Sequence, residues 1–328
     1  MTVRPRVSVC LPTYNRSALL REAMQSVLSQ TFEDWELIVS DNASTDDTEQ
    51  TVRAFADSRI RYSRQPQNRG QVPNYNHCLS LARGEYITIF SDDDLMLSEN
   101  LASKVAVLDR HPNVGLVYSK YHVIDATGEI TMADTNWGHG VERTMDSNAG
   151  RIEVLSARGN LVNSPTAVFR RACYERLGGF TSRLRFAFDY EYWLKIAALY
   201  EVAFLARPLI KWRLHPGTVT NMNLGDRPGL QRLEVLSARL FVLRKYSSTI
   251  PNSDRLKAEV TRTLGLEIFG QGDAILNDGG PSSRARKFVR QQVWAFPETL
   301  REGPVWKISL KTILGVRAVK ALKKMFAL

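Results

Sequence analysis

Apolar residues in the first 120 positions follow two alternating patterns, short runs and stretches with helical spacing. The short runs predict five strands, at residues 7–11, 36–40, 60–63, 86–90 and 114–118. The stretches between them place apolar side chains on one face of a helix. Strands that alternate with helices predict an α/β fold with a mainly parallel, doubly wound sheet and flanking helices.

The pattern is less regular after residue 120. Residues 123–131 predict a hairpin, whereas residues 132–160 show no clear periodicity and read as a long loop. Helical spacing returns in residues 229–246, where leucines recur on one face, and in residues 255–271. The second half of the chain therefore combines an irregular part with a helical C-terminal part.

These patterns divide the chain into a domain over residues 1–222, with halves at about 1–120 and 121–222, and a helical extension over residues 223–328. Charge distinguishes the two parts, because residues 281–328, here named the basic tail, carry +9 of the formal net charge of +10. The rest of the chain is almost neutral. The basic character belongs to the tail and not to the domain.

The end of the basic tail, residues 304–328, is interrupted at Gly315. Beyond that glycine, apolar and basic residues separate onto opposite sides of a predicted helix, and the basic side carries Arg317, Lys320 and Lys324. Such a helix suits the surface of an anionic membrane. It equally suits a helix that packs on a domain with its basic side in solvent, so both interpretations stay open.

Composition argues against several kinds of site and compartment. The three cysteines, Cys10, Cys78 and Cys173, are far apart and form no Cys-x-x-Cys pair, which argues against a disulfide framework or a zinc site. The first residues enter a predicted strand at once, so we expect no signal peptide. No apolar run is long enough to span a bilayer. We expect a cytoplasmic protein, which the basic tail would let lie peripherally on the inner face of the plasma membrane.

Three consecutive carboxylates, Asp92, Asp93 and Asp94, here named the acidic motif, follow the fourth predicted strand. A buried strand that ends in such residues commonly presents a ligand or metal site in an open α/β sheet. Adjacent carboxylates repel one another unless a cation lies among them, and their oxygens suit Mg²⁺ or Mn²⁺. An acidic turn in solvent ahead of the next helix is the alternative interpretation.

The loop after the first predicted strand contains Pro12, Tyr14 and Arg16 but lacks Gly-x-Gly-x-x-Gly, which argues strongly against a dinucleotide-binding dehydrogenase. Tyr14 is able to stack on a base, and Arg16 stands near a helix N-terminus, where phosphate binding is favourable. A simple strand-to-helix turn is the alternative. Asp41 ends the second strand on the same edge, where it suits a nucleobase or ribose, and Asn42 and Ser44 suit caps for the next helix.

The sequence resembles glycosyltransferase family 2 in three ordered segments: Pro-Thr-Tyr-Asn-Arg at 12–16, Val-Ser-Asp-Asn-Ala-Ser-Thr-Asp-Asp-Thr at 39–48, and Ala-Arg-Gly-Glu-Tyr-Ile-Thr-Ile-Phe-Ser-Asp-Asp-Asp at 82–94. The resemblance covers about residues 5–220. It implies the GT-A fold and an inverting transfer of a sugar from a nucleotide-diphospho-sugar to an acceptor hydroxyl. It also implies a saccharide or lipid-linked saccharide acceptor, in the assembly of bacterial surface polysaccharide or glycolipid.

The resemblance assigns roles to residues of the donor half. The donor-binding residues that it and the loop pattern indicate are Pro12, Thr13, Tyr14, Arg16, Asp41, Asn68, Arg69 and Asp92. Asp41 matches the family's base-contacting aspartate, and residues 12–14 match the loop that holds the nucleoside. Asn68 and Arg69 belong to a further loop on the nucleotide side, and Asp92 lies beside the ribose or the sugar.

In the acidic motif, Ser91 stands where the family's commoner Asp-x-Asp form has its first aspartate. The resemblance then makes Asp93 the ligand of Mg²⁺ or Mn²⁺ and leaves Asp94 as a weaker candidate. His215 matches a histidine that reaches the metal or the diphosphate, although a histidine before proline is also a common turn residue. With one carboxylate fewer, the metal would depend more on diphosphate oxygens and water, which Mg²⁺ tolerates.

In the acceptor half, Asp189 opens a predicted helix that is rich in aromatic residues, a position that a capping carboxylate also takes. The resemblance makes Asp189 the catalytic base, with Phe188 in place of the family's preceding Glu. Glu191 is the reserve candidate. Residues 132–160 would form a loop over the acceptor, in which Trp137 either stacks on a sugar or anchors the loop by packing.

Two other functions compete with sugar transfer. A nucleotidyltransferase acting on sugar phosphates would combine the same sheet with a nucleotide and a metal, but the sequence lacks a glycine-rich phosphate loop with a lysine near the first strand. A non-enzymatic nucleic-acid-binding protein would explain the basic tail through phosphate contacts, but not the acidic motif or Asp189. We therefore expect no nucleic-acid partner.

Overall fold

A computed structural model describes residues 4–133, 143–145, 160–218, 228–250 and 252–277. These residues form ten strands, eight α-helices and a short 3₁₀ helix. The strands are β1 (Val7–Thr13), β2 (Trp35–Asp41), β3 (Ile60–Arg64), β4 (Tyr86–Ile89), β5 (Leu95–Met96), β6 (Val114–Ile124), β7 (Ile130–Met132), β8 (Arg143–Met145), β9 (Val168–Arg170) and β10 (Glu201–Arg213). The helices are α1 (Ser17–Leu28), α2 (Thr48–Arg53), α3 (Gln71–Leu81), α4 (Asn100–Arg110), α5 (Arg171–Leu177), α6 (Phe188–Leu199), α7 (Pro228–Lys245) and α8 (Ser253–Asn277), and the 3₁₀ helix is Ser164–Thr166.

The described strands form one sheet with the order β3-β2-β1-β4-β9-β6-β10-β5, while β7 also pairs with β6 and β8 with β10. Parallel pairing joins β1 to β2, β1 to β4, β2 to β3 and β6 to β10. The short β9 is antiparallel to both β4 and β6, so those two strands also run in the same direction. The six longest strands therefore share one direction, and the predicted α/β fold with a mainly parallel sheet is confirmed.

The central strands are buried on both faces, as in other parallel sheets that helices cover. Every residue of β1 and β2 is buried, including the polar Ser8 and Glu36. The Ser8 hydroxyl donates to Glu36 at 2.7 Å, and Arg61 and Arg83 each pair with the same carboxylate at 2.8 Å. The buried charge is thus compensated, which is the condition for placing a carboxylate inside a sheet.

The parallel strands end together at one edge of the sheet, here named the carboxyl edge. Thr13 and Asp41, the last residues of β1 and β2, are register partners. The acidic motif follows β4 after Phe90, whose N–H donates to the Cys10 carbonyl oxygen at 2.8 Å. The loops after β1, β2 and β4 therefore lie side by side, which is where open α/β sheets bind ligands.

The start of α2 differs from the predicted cap. The Thr48 N–H donates to the Asp46 carboxylate at 3.2 Å. The Ser44 hydroxyl instead accepts the Asn15 N–H at 2.9 Å. The caps predicted at Asn42 and Ser44 are wrong, because the Asn42 side chain binds a different loop, described below, and the Ser44 hydroxyl binds the loop after β1. Asn and Ser suit a cap by local pattern alone, but here neighbouring loops provide partners for both.

The chain divides into two compact units, Met1–Leu224 and Gly225–Leu328. In the second unit α7 and α8 pack against each other, and Arg232 pairs with Glu267 at 2.8 Å. Buried residues of these two helices include Leu233, Leu236, Leu240, Leu264 and Ile268. The leucine face predicted from the sequence is therefore a helix-packing face.

Within the part of the chain that the structure describes, none of the helices combines the length and apolar character that crossing a bilayer requires. The basic tail and Trp137 lie outside the described residues, as does the domain boundary predicted between residues 222 and 223. The boundary, the membrane contact of the tail and the role of Trp137 stay predictions.

Candidate active site

A cavity of about 280 Å³ lies at the carboxyl edge, near the lower end of the range of small-molecule sites, about 300–1,000 Å³. Six of the predicted donor-binding residues line it: Pro12, Thr13, Tyr14, Arg16, Asn68 and Asp92. Five further residues also line it: Gly70, in the same loop as Asn68, and Asn42, Gln71, Asn74 and Tyr75, for which the sequence predicted no binding role. The two remaining predicted donor residues, Asp41 and Arg69, do not line this cavity.

Arg16 supplies a positive charge beside the acidic motif. Its Nη1 donates to Asp92 Oδ1 at 3.0 Å and to Asp93 Oδ2 at 2.9 Å, and its Nη2 donates to the Gly217 carbonyl oxygen at 2.6 Å. The guanidinium therefore relieves the repulsion between two adjacent carboxylates. It also joins the loop after β1 to the segment after β10, a contact between residues that are far apart in the chain.

Asp92 is held from two sides. Its Oδ2 accepts the Thr13 hydroxyl at 2.7 Å, while its Oδ1 accepts Arg16. Burial raises the pKa of Asp92 to about 6, against the opposing effect of the Arg16 guanidinium. Perturbed carboxylates in a cavity concentrate at functional sites, so Asp92 has the properties of a ligand-binding residue.

Asp94 is almost fully buried and does not line the cavity. Its Oδ1 accepts the backbone N–H of Arg213 at 2.8 Å, and burial raises the pKa of Asp94 well above its ordinary value. The buried Arg213 side chain donates through Nε to the Asp93 carbonyl oxygen at 2.8 Å. The acidic motif is thus tied to the end of β10, and this place for Asp94 favours a structural role over the weaker metal-ligand role.

His215 lies next to Asp93, the residue that the resemblance makes the metal ligand. Its Nδ1 accepts the Gly217 N–H at 3.2 Å, so Nε2 is the nitrogen that carries the hydrogen, and Nε2 is 3.3 Å from Asp93 Oδ2. In this tautomer His215 is a hydrogen-bond donor at the acidic motif. The arrangement favours contact with an anionic ligand such as a diphosphate.

The fit of the acidic motif to Mg²⁺ or Mn²⁺ depends on the oxygen ligands that it offers. No group of three or more His, Cys, Asp or Glu side chains that would hold a metal ion is found among the described residues. Asp93 nevertheless offers a carboxylate beside the cavity-lining Asp92 and Arg16. One carboxylate suffices for an ion that substrate phosphates and water also bind, which is the usual coordination of Mg²⁺. The residues present fit that kind of site.

Asp41 is buried beneath the loop that follows β2. Its Oδ1 accepts the Ser44 N–H at 2.8 Å and its Oδ2 accepts the Tyr62 hydroxyl at 2.6 Å. Tyr62 lies on β3, and local sequence pattern does not reveal this contact because the two residues meet only through strand pairing. The role of Asp41 as a residue that contacts the nucleobase stays a prediction.

Asn42 shapes the other wall of the cavity. Its Nδ2 donates to Asn68 Oδ1 at 2.9 Å, and its Oδ1 accepts the Arg69 N–H at 2.9 Å. Gly70 follows with φ +87°, a backbone conformation that side-chain-bearing residues rarely adopt. The loop at residues 68–70 is therefore held in place by Asn42, and Arg69 contributes its backbone to this contact.

Asp189 is the second residue of α6 and is partly buried. Its Oδ2 accepts the Ser164 hydroxyl at 2.7 Å, and its Oδ1 accepts the Tyr190 N–H at 2.6 Å. Burial raises the pKa of Asp189, and the hydrogen bond from Ser164 opposes the rise. A carboxylate with a raised pKa takes up a proton more readily, so the environment suits a general base.

Glu191, the reserve candidate, has a different environment. It is buried, and its Oε1 pairs with Lys195 Nζ at 2.7 Å, one turn further along α6. This ion pair within α6 engages the Glu191 carboxylate, whereas Asp189 is bound only by neutral hydrogen-bond donors. The geometry therefore favours Asp189 over Glu191 as the base.

The sequence is similar to that of proteins from a known family. The family model described as Glycosyl transferase family 2 matches residues 8–178, more than half of the chain. An uncharacterized glycosyltransferase of Rickettsia typhi is 27% identical over 227 residues, which cover 69% of each chain. The UDP-Glc:alpha-D-GlcNAc-diphosphoundecaprenol beta-1,3-glucosyltransferase WfgD of Escherichia coli is 31% identical over 119 residues, 36% of this chain and 47% of that protein.

Solved structures share the fold. S. aureus TarS 1–349 in complex with UDP has a TM-score of 0.57 at 22% identity, with 80% of this chain and 70% of that chain covered. The mannosyltransferase PcManGT from Pyrobaculum calidifontis, in complex with GDP-Man and Mn²⁺, has a TM-score of 0.52 at 22% identity, with 95% and 88% covered. Likeness at these identities shows the fold alone, and it confirms the predicted GT-A fold. The sequence match carries the family: the chain is a glycosyltransferase that belongs to glycosyl transferase family 2.

Proposed function

We propose that this glycosyltransferase moves a sugar from a nucleotide-diphospho-sugar to a hydroxyl of a saccharide acceptor, with inversion at the anomeric carbon. One observation carries this proposal. Tyr75, in the wall of the cavity, packs against Phe188 with ring centroids 5.5 Å apart, and Asp189 directly follows Phe188. A donor bound along the acidic motif would therefore end near a carboxylate that has the environment of a base.

The diphosphate would lie at Arg16 and the acidic motif, with the nucleoside towards Tyr14 and Asn68. Arg16 presents a planar group that binds phosphate through paired hydrogen bonds, and it immediately precedes α1, whose N-terminus favours anions. Asp41 would contact the nucleobase from beneath the loop that follows β2. A uridine diphosphate donor is the first choice, because TarS binds UDP and the name of WfgD specifies UDP-Glc.

A divalent ion, Mg²⁺ or Mn²⁺, would be held by Asp93 and would neutralise the leaving diphosphate as a Lewis acid. The PcManGT structure, which contains GDP-Man and Mn²⁺, supports such an ion. His215 would donate a hydrogen bond to the diphosphate from its place beside Asp93.

Asp189 would take the proton of the acceptor hydroxyl as its oxygen attacks the anomeric carbon, a contribution of about 10²- to 10⁴-fold. The new carbon–oxygen bond forms as the bond to the diphosphate oxygen breaks, and the diphosphate leaves with the electron pair. One base and one displacement invert the anomeric centre. No covalent glycosyl-enzyme is needed.

Calorimetric titration of the purified protein with UDP, TDP and GDP, each with and without Mn²⁺, tests the donor site. We expect UDP to bind more tightly than the other two nucleotides, and more tightly with Mn²⁺ than without it. If none of the three nucleotides binds in either condition, the proposed function is wrong.

The Asp189→Asn variant tests the base, with Glu191→Gln as the matched control on the same helix. Asp189→Asn should retain UDP binding and lose sugar transfer, whereas Glu191→Gln should retain both. Transfer at the wild-type rate by Asp189→Asn would remove Asp189 from this role.

A lipid-linked saccharide is the proposed acceptor, since the name of WfgD specifies a diphosphoundecaprenol-linked one, and surface polysaccharide or glycolipid assembly is the proposed setting. The basic tail would then contact an anionic membrane. Sedimentation with phosphatidylglycerol vesicles should retain the wild type more than a variant in which Arg317, Lys320 and Lys324 are changed to Glu. Equal retention of the two proteins would contradict this membrane contact.

A further inference from the structure

Tyr75 joins the two halves of the candidate site. It lies in α3, lines the cavity together with Asp92, and packs its ring edge-on against Phe188 and Phe180, with centroids 5.5 and 6.0 Å away and interplanar angles of 77° and 72°. Edge-to-face aromatic contacts of this kind fix the orientation of a ring. The ring is therefore held by the segment that leads to Asp189, and the same residue lines the cavity.

The hydroxyl of Tyr75 lies in the electric field of three carboxylates. Burial raises the pKa of Tyr75, Gln71 opposes the rise by a hydrogen bond, and the charges of Asp92, Asp93 and Asp189 raise the pKa further. Tyr75 thus lies between the acidic motif, beside which it lines the cavity, and the helix start that carries Asp189.

The transferred sugar must occupy the same region. In the proposed reaction its anomeric carbon lies between the leaving diphosphate, at the acidic motif, and the attacking oxygen, at Asp189. A phenolic hydroxyl has one donor and two acceptor lone pairs. Gln71, which also lines the cavity, engages this hydroxyl and leaves it capacity for a ligand.

We propose that Tyr75 is a specificity-determining residue for the transferred sugar: its hydroxyl hydrogen-bonds a hydroxyl of the donor sugar, and Phe180 and Phe188 hold its ring in place for that contact. This assignment rests on the proposed function, because it needs a sugar between the acidic motif and Asp189. Beyond that function, the Tyr75 hydroxyl would distinguish between donor sugars and would not contact the nucleotide. The alternative is that Tyr75 only packs.

The Tyr75→Phe variant separates the two roles, because it keeps the ring contacts and removes only the hydroxyl. Calorimetry with UDP, and with UDP-glucose, UDP-galactose and UDP-N-acetylglucosamine, reports on the nucleotide and the sugar separately. We expect the variant to bind UDP within about twofold of the wild type. The dissociation constant of the UDP-sugar that the wild type prefers should rise about 3- to 10-fold, as one lost neutral hydrogen bond predicts.

Tyr118→Phe is the matched control, because Tyr118 is buried on β6 and does not line the cavity. It should bind UDP and the UDP-sugars as the wild type does. Tyr75 has only a packing role if Tyr75→Phe binds the preferred UDP-sugar with wild-type affinity, or if it loses UDP and UDP-sugar equally. Failure of the wild type to bind any nucleotide would instead overturn the proposed function, and the assignment of Tyr75 with it.

Discussion

Replacing Arg213 by methionine should destabilise the first unit more than any exposed arginine would. Arg213 ends β10, and only 1% of its side chain is exposed. Nε donates to the Asp93 carbonyl oxygen at 2.8 Å, Nη1 donates to the Ala126 carbonyl oxygen at 3.0 Å, and Nη2 pairs with Glu22 at 2.6 Å. Methionine replaces the unbranched apolar part of arginine but provides none of these donors.

The magnitude follows from what each partner loses. The carbonyl groups of Asp93 and Ala126 would be left without this donor, at a cost of about 1–3 kcal/mol each. Glu22 is half exposed, so it regains water and adds less than about 1 kcal/mol. Relief from burying a guanidinium offsets part of the sum. We expect a net loss of about 2–5 kcal/mol in the free energy of unfolding.

Urea unfolding followed by tryptophan fluorescence measures this loss. The matched control is Arg207→Met, on the same strand, because Arg207 is half exposed and its ion pair with Glu99 spans 3.4 Å. An exposed pair of this kind contributes less than about 1 kcal/mol. If Arg213→Met and Arg207→Met unfold at the same urea concentration, the buried arginine does not hold the acidic motif in the way its contacts indicate.

Three further changes test other parts of the structure. Ser164→Ala removes the hydroxyl that donates to Asp189, so the pKa of Asp189 should rise further. Because the base acts only when it is ionised, the acid limb of the kcat–pH profile should then move to higher pH. An unmoved acid limb would contradict this effect of Ser164. Gly84→Ala places a Cβ 2.5 Å from the Ser8 nitrogen and should lower the free energy of unfolding, measured in urea, by about 1–3 kcal/mol. An unchanged free energy of unfolding would contradict this close approach. Asp93→Asn should remove the effect of Mn²⁺ on UDP affinity in calorimetry, and a persistent effect would place the ion elsewhere.

The elements of the first half were predictable because they depend on local pattern. The second strand was predicted at residues 36–40 and spans Trp35–Asp41, and the third was predicted at 60–63 and spans Ile60–Arg64. The pairing of the three-residue β9 with both β4 and β6 was not predictable in the same way. Its partner Tyr86 is 84 positions from Arg170, and periodicity carries no information on pairing over such distances.

The candidate site shows the same division. The acidic motif and Asp189 stand out because each ends or begins an element with an unusual carboxylate. Ser164 and Tyr75 do not, since a serine before proline and an aromatic residue in a helix are ordinary in loops and cores. Their significance comes from contacts with Asp189 and Phe188, in parts of the chain that only the folded structure brings to them.

Contacts with the acidic motif also bear on where the catalytic domain ends. The family match stops at residue 178, yet Arg213 holds the Asp93 carbonyl oxygen and the Asp94 carboxylate, and Gly217 accepts a hydrogen bond from Arg16. A domain without these residues would leave a buried carboxylate without its N–H donor, a state that costs free energy. The segment after α6 is therefore part of the same folding unit as the acidic motif, and a fragment that ends near residue 178 should not assemble the donor site.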